Sequence, residues 1–449
     1  MKKILFGSLI TLGLFSMTAC VKVNFDESEV IDNGGGTTVG KVITGIITST
    51  RYYPKDVYTL KGYVYVTEGA TLTFEAGSVI KSDITEKGAL IIERGAKLIA
   101  DGKANNPIVF TSGKPAGQRA PGDWGGIIML GKAPTNRPLD PAPTIEGGVG
   151  RQYGGTEPND ESGILRYVRI EYAGIAAEPG SEINGLTLGG VGSGTIIENI
   201  QVSFGNDDAY EFFGGTVNAK NLVALATADD DFDFDYGYTG KIQFAYSVRK
   251  PDFVDAGDAG NGIEADNDGS GSSATPNTRP QLSNFTFVGP NNAAGTAENH
   301  NLSNRWRRSV QFVLRNSILM GHPDGGFSME SDGTVTAYKN GNTEFMHNLV
   351  HSNGNPYISK SPVMTSAEVK AKAESEGGIT YTNADDIQLN SPFYSNSPNP
   401  LPKAGSPALT GANFTGMNPF FTKVDYRGAF GTTNWMEGWT NFDPQTKAY

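Results

Sequence analysis

The stretch Gly205–Gly237, GNDDAYEFFGGTVNAKNLVALATADDDFDFDYG, carries one short phrase twice. D-D-A-Y-E-F-F-G-G begins at Asp207 and D-D-D-F-D-F-D-Y-G at Asp229, an offset of 22 residues. In each copy an acid stands between two aromatics: Glu211 between Tyr210 and Phe212, Asp233 between Phe232 and Phe234. Side chains of a strand alternate between faces, so the aromatics are expected inside and the acids outside. If the copies are successive coils of a solenoid, the two carboxylates lie one strand spacing apart, roughly 4.8 Å.

The surrounding chain repeats in the same way. Gly69–Gly77 (GATLTFEAG) echoes Gly95–Gly102 (GAKLIADG), and strands of four to six residues are closed by glycine at a period in the twenties. That period indicates a β-solenoid, whereas a β-sandwich would show longer strands and hairpin turns. The 58 glycines and 24 prolines supply the turns, while Phe, Tyr, Val and Ile remain too frequent for disorder. Pro121–Pro134 (PGDWGGIIMLGKAP) reads as a buried strand around Ile127–Leu130, with a loop hung on one side from Ala133 to Asn159.

Two alignments extend the repeat. One places Asn199, Asn221, Asn284, Asn316 and Asn348 at a common point of successive coils, with Tyr167 and Lys241 there in two others. Asparagine tolerates the left-handed backbone of a sharp bend, and stacked amides can bond from coil to coil. The other places Thr187, Glu211, Asp233, Glu264, Arg307 and Glu330 on one outward line, with Asp229, Asp230, Asp231, Asp235, Asp266 and Asp332 beside it. Coils of 22 to 24 residues with loop insertions at Ala256–Arg279 and Pro290–Ser303 account for the spacing. The fold expected for residues 41–449 is all-β: a right-handed parallel β-helix of about nine to eleven coils. A short surface helix is expected near 366–376, from the Thr365-x-x-Glu368 start and Gly377-Gly378 stop. An aromatic C-terminal cap near 405–449 is expected from Phe430, Trp435, Trp439 and Phe442.

At the N-terminus Lys2 and Lys3 precede an apolar run, Ile4–Phe15, and then M-T-A-C, with Cys20 the one cysteine of the chain. Residues 1–19 read as a secretory signal, and small Ala19 before Cys20 resembles a bacterial lipobox. Lipidation of Cys20 would anchor the chain to a membrane through a polar tether, residues 20–40. The net charge of −12, with no long basic run, argues against a nucleic-acid partner.

The glycine-closed coils, G-D-W-G-G-I-I, the paired acidic phrases and D-Y-R-G-A-F-G (Asp425–Gly431) resemble secreted Bacteroidota lipoproteins of the pectin-lyase-like right-handed β-helix class. The resemblance implies an outer-membrane, surface-exposed setting and a role in nutrient capture beside an uptake receptor.

Carboxylates about 5 Å apart at an effective dielectric near 20 repel by about 3 kcal/mol. A cation, an arginine partner or protonation would offset this. Glu211, Asp233, Glu264, Arg307 and Glu330 are the candidate ligand-binding residues. Asp207, Asp208, Asp230, Asp231, Asp235 and Asp266 are candidate ligands of Ca²⁺, which takes hard oxygen donors. Asp233, Glu264 and Arg307 are the candidate acid and base groups if the chain is a polysaccharide lyase or glycosidase. The reading favoured is glycan or nutrient binding without catalysis. A solvated acidic face, or a structural adhesin, is the plainer alternative. His347, His351 and Glu344 lie in a strand-like run and do not make a helical zinc motif.

Overall fold

A computed structural model describes residues 41–178 and 181–449; the signal, Cys20 and tether lie outside the described residues. Twenty-six strands form one continuous sheet whose successive neighbours run parallel, wound as a right-handed β-helix with three faces. One coil shows how it is built. Strand Tyr210–Phe213 lies on the acid-bearing face, and strand Asn218–Leu225 bends at Asn221 to serve the other two. Phe232–Asp235 then returns to the first face in register, Tyr210 beside Phe232 and Glu211 beside Asp233.

The alternation behaves as the sequence predicts. Tyr210, Phe212, Phe232 and Phe234 are fully buried in the central core, stacked in pairs with centroids 5.2 and 5.1 Å apart. Stacking like side chains coil upon coil is what holds a parallel helix in register, since a slip of one residue would turn the aromatics outward.

The bends take the left-handed backbone at Asn199, Asn221, Asn284 and Asn316, with φ between 56° and 60°. The same place is held by Tyr167, by Phe244 rather than Lys241, and by His347 rather than Asn348. Asn348 sits one residue on and links coils, accepting from Ser317 N at 2.8 Å and donating to Leu314 O. The bend amides also serve the C-terminal segment: Asn284 donates to Tyr426 O and Asn316 to Asn413 O.

That segment lies along one flank of the coils. Its bonds run from Asn316 back through Gln243 with Thr422, Gln201 with Asn441 and Arg119 with Pro444, to Lys81 with Tyr449. Its aromatics are core: Phe430 and Trp439 are buried against Tyr246, Val248, Val288 and Ile318 on the outer side of the flank sheet. Coverage of a sheet face uses these rings more fully than an end cap would.

Helix Ser366–Ser375 carries the expected capping box between Thr365 and Glu368. A second helix, Asp332–Lys339, is capped by Ser331. Asp332 is therefore a first-turn helical residue, bonded by Ser361 Oγ at 2.6 Å, and not a neighbour on the ladder. The loop after strand Gly126–Leu130 folds over the acid-bearing face, where Ile145, Val149 and Tyr153 pack on Ile128, Leu130, Phe213 and Ile183.

Candidate functional site

Register defines the ladder: Thr187, Glu211, Asp233 and Glu264 are successive partners, as expected. The next partners are Arg305 and then Ser328, not Arg307 and Glu330. Arg307 and Glu330 stand two residues further along the strands, where the backbone bonds Asp266 N to Phe234 O, Arg307 N to Ala265 O and Glu330 N to Trp306 O continue a second line. Residues two apart on a strand face the same way, so alternation alone could not separate the two lines.

The outward acids are not on a flat solvated surface. Glu211 is only 7% exposed and Asp208 6%. Three groups of carboxylate oxygens lie within 4.8 Å of one another: Asp207, Asp208 and Asp229; Asp208, Glu211 and Asp233; Asp230, Asp233 and Glu264. Asp208 and Asp233 each belong to two groups, so the acids form one connected line. The turn ahead of each strand contributes the Asp pairs 207/208 and 229/230, and the strand contributes the ladder acid.

Backbone and amide donors brace this line. Asp208 accepts from Asp230 N at 2.7 Å, and Asp230 accepts from Asn261 N at 2.6 Å and Asn261 Nδ2 at 2.9 Å. Asn184 Nδ2 donates to Glu211 and, at 3.0 Å, to Glu146 of the overlying loop. Asp233 Oδ1 is buried with no hydrogen-bond partner. Burial first, and the neighbouring acids second, push Asp208, Glu211 and Asp233 far above the ordinary carboxylate range. Burial also drives Asp230 far up, aided by Asp229, against the pull of Asn261 and Arg249. The same forces carry Asp207 and Asp229 up to about 8.

At its far end the line meets arginines. Arg305 bonds Glu264 at 2.8 Å and Glu330 at 3.2 Å, and Arg307 grips Asp266 at 3.1 and 2.7 Å while also pairing with Glu264. Arg308 adds a 2.6 Å bond to Asp266. Glu330 also receives Lys360 at 2.8 Å; burial would raise its pKa, but Lys360 and Arg305 outweigh that and lower it.

The candidates thus divide. Asp207, Asp208, Asp230, Glu211, Asp233 and Glu264 come together, whereas Asp231, Asp235 and Asp266 do not join a carboxylate group. Asp231 pairs with Arg249, both fully buried, and bonds Thr227 Oγ1. Asp235 caps its own turn at Tyr236 N, and Asp266 is held by the arginines. Glu146, Asn184, Asn261 and Arg305 are additions from the structure, and Asp229, expected beside the ladder, joins a carboxylate group. Asp229 belongs to the repeated phrase itself, while Glu146 lies in a loop with no repeat to align.

A family model for a pectate-lyase-like β-helix domain matches residues 45–388. The chain belongs to that family. No curated relative and no solved structure matches it.

In this pectate-lyase-like β-helix the donor set fits a hard cation. Ca²⁺ sits about 2.4 Å from each oxygen ligand, so oxygens up to about 4.8 Å apart can share one ion. Each of the three groups meets that limit, and the orphaned Asp233 Oδ1 lacks the donor or cation a buried carboxylate oxygen requires. Arg307 is a poor proton acceptor here. Burial pulls its pKa down, but Asp266 and Glu264 outweigh that and hold it above the ordinary arginine value.

Proposed function

We propose that this chain is a cell-envelope lipoprotein that binds an extracellular glycan on the acid-bearing face of its β-helix, with Ca²⁺ held among the ladder carboxylates. The observation that carries the reading is the run of three overlapping carboxylate groups on one face. Each would repel itself without a cation or protons, and the all-oxygen donors match Ca²⁺. A bound ion would present open coordination positions to sugar hydroxyls or carboxylates, and Arg305, Arg307 and Arg308 would extend the face for acidic groups. Asp208, Glu211 and Asp233, or Asp230, Asp233 and Glu264, would hold an ion. Lipidation at Cys20, outer-membrane location and an uptake receptor as partner belong to the same reading and rest on the N-terminal sequence and the resemblance.

Catalysis is the second reading, favoured by carboxyl groups such as Glu264, which burial and Asp230 push up to about 8. A carboxyl protonated near neutral pH suits a general acid. The mature chain incubated with acidic and neutral polysaccharides and Ca²⁺ separates the two. Saturable binding without new reducing ends or unsaturated products is expected. Products that disappear in Asp233→Asn would overturn the binding-only reading, and absence of binding to every glycan would overturn both.

A further inference from the structure

A second polar pocket lies on the same face, three coils before the carboxylates. It is about 650 Å³, within the range of small-ligand sites. One wall is made by turns at the ends of successive strands, Glu68, the pair Glu93–Arg94, and Lys132. The opposite wall, with Arg151 and Gln152, comes from the Ala133–Asn159 loop, the loop that also brings Glu146 to the carboxylate line. Gly95, at φ +79°, keeps the first wall close: a Cβ there would stand 2.8 Å from Glu68 Cγ.

The charges in this pocket are unbalanced. Lys132 takes Glu68 at 2.7 Å, and Arg151 takes Glu93 at 2.5 Å while lying 4.2 Å over the Tyr65 ring. Among the described residues, Arg94 has hydrogen bonds only to neutral oxygens, Gly154 O at 3.2 Å and Gln152 Oε1 at 3.3 Å. The nearby Glu68 carboxylate, which Arg94 helps to keep ionised, is bonded by Lys132, so among the described residues the Arg94 fork has no carboxylate in direct contact. The lining sets three cations, Arg94, Lys132 and Arg151, against two carboxylates, Glu68 and Glu93. Ile91, Ile128, Thr187 and Glu211 are successive register partners, so the pocket is three strand spacings from the carboxylate line, roughly 14 Å.

The geometry points to this pocket as a cation-independent binding site for a carboxylate-bearing saccharide, with Arg94 pairing the sugar carboxylate. An arginine fork matches a carboxylate in plane, and polar walls suit hydroxyl groups rather than a lipid. The choice of a saccharide rests on the glycan-binding reading above.

The test is calorimetric titration of the mature chain with trigalacturonate, in excess chelator and in Ca²⁺, with maltotriose as the neutral control. In chelator, wild type and Asp233→Asn are expected to bind trigalacturonate equally, and Arg94→Gln at least tenfold more weakly. Arg94→Lys, which keeps the charge and loses the fork, is expected to fall between them. A melting curve matching wild type shows that each variant is folded. Equal binding by Arg94→Gln, or no binding by wild type in chelator, overturns the assignment. Binding seen only with Ca²⁺ and lost in Asp233→Asn would leave the carboxylate-line reading standing while this one falls. Binding that needs Arg94 and ignores Ca²⁺ does the reverse.

Discussion

Glu211 and Asp233 are register partners on adjacent coils, and their environments differ: Glu211 takes a hydrogen bond from Asn184, whereas Asp233 Oδ1 is buried without a donor. Asp233 is also shared between two carboxylate groups. Ca²⁺ should therefore raise the melting temperature of the wild type. Ligand at a hundred times its Kd adds about 2.7 kcal/mol of stability. Asp233→Asn should lose most of that increment while melting no lower than wild type in chelator, since Asn matches the shape of the protonated acid that burial and the neighbouring carboxylates favour there. A melting temperature unmoved by Ca²⁺ would rule out the cation.

The pH dependence has a defined sign. Burial, with Glu146 for Asp207, Asp207 for Asp229 and Asp230 for Glu264, lifts these acids to about 8 in the folded chain. An unfolded carboxyl titrates near 4, so between about 4 and 8 the folded state holds more protons. Their contribution to stability is full below about 4 and declines as pH rises through 8. Burial lowers His300 to about 4 and His322 further, which acts oppositely below about pH 6.5. In chelator, stability should thus fall from pH 6.5 to 8. With Ca²⁺, whose binding needs the carboxylates deprotonated, that fall should shrink or reverse. Denaturant melts at four pH values, with and without Ca²⁺, measure both slopes; identical slopes would contradict the assignment.

Arg249 and Asp231 form an ion pair at 3.1 Å with both side chains fully buried. Removing one partner strands the other, so Arg249→Met should destabilise by about 3–5 kcal/mol. The double variant Arg249→Met with Asp231→Asn should recover part of that loss. Chemical denaturation of the set measures the coupling, and additive losses would mean that the pair does not act as a unit.

Trp439 is fully buried on the flank, its Nε1 bonded to Trp435 O at 2.8 Å and its ring edge-on to Tyr167 at 5.9 Å. Trp439→Ala should cost about 3–5 kcal/mol. It should also open the C-terminal segment to limited proteolysis before the coils are cut. Simultaneous cleavage of both would show that the segment and the coils unfold as one unit.

Much of the fold was legible because it repeats. The aromatic–acid–aromatic phrase at Tyr210 and Phe232, the bend asparagines and the capping box at Thr365 are local patterns with strong geometric meaning. The candidate site was legible only in part. Arg305 and Arg307 face the same side of one strand, so the insertion after Glu264 hid which is its partner. Asp231 and Asp233 stand two apart in a run of acids, and only the partner Arg249 shows that the first, in the turn ahead of the strand, is part of an ion pair. Phe244 and His347 occupy the left-handed bend without the asparagine signature, supported by packing such as that of Phe244 on Tyr426. Asp332 looked like a ladder acid because its helix begins directly after the strand.

From its own residues the chain determines a parallel β-helix and the pairing of Glu211 with Asp233. Strand alternation and a constant coil length are enough to place one side chain over the next. Only the tertiary structure decided that these acids are buried and connected, that a loop 65 residues earlier lays Glu146 against Glu211, and that the aromatic tail covers a flank. Those contacts join segments far apart in the chain, where the pairing depends on shape and available surface and no repeat marks the partner.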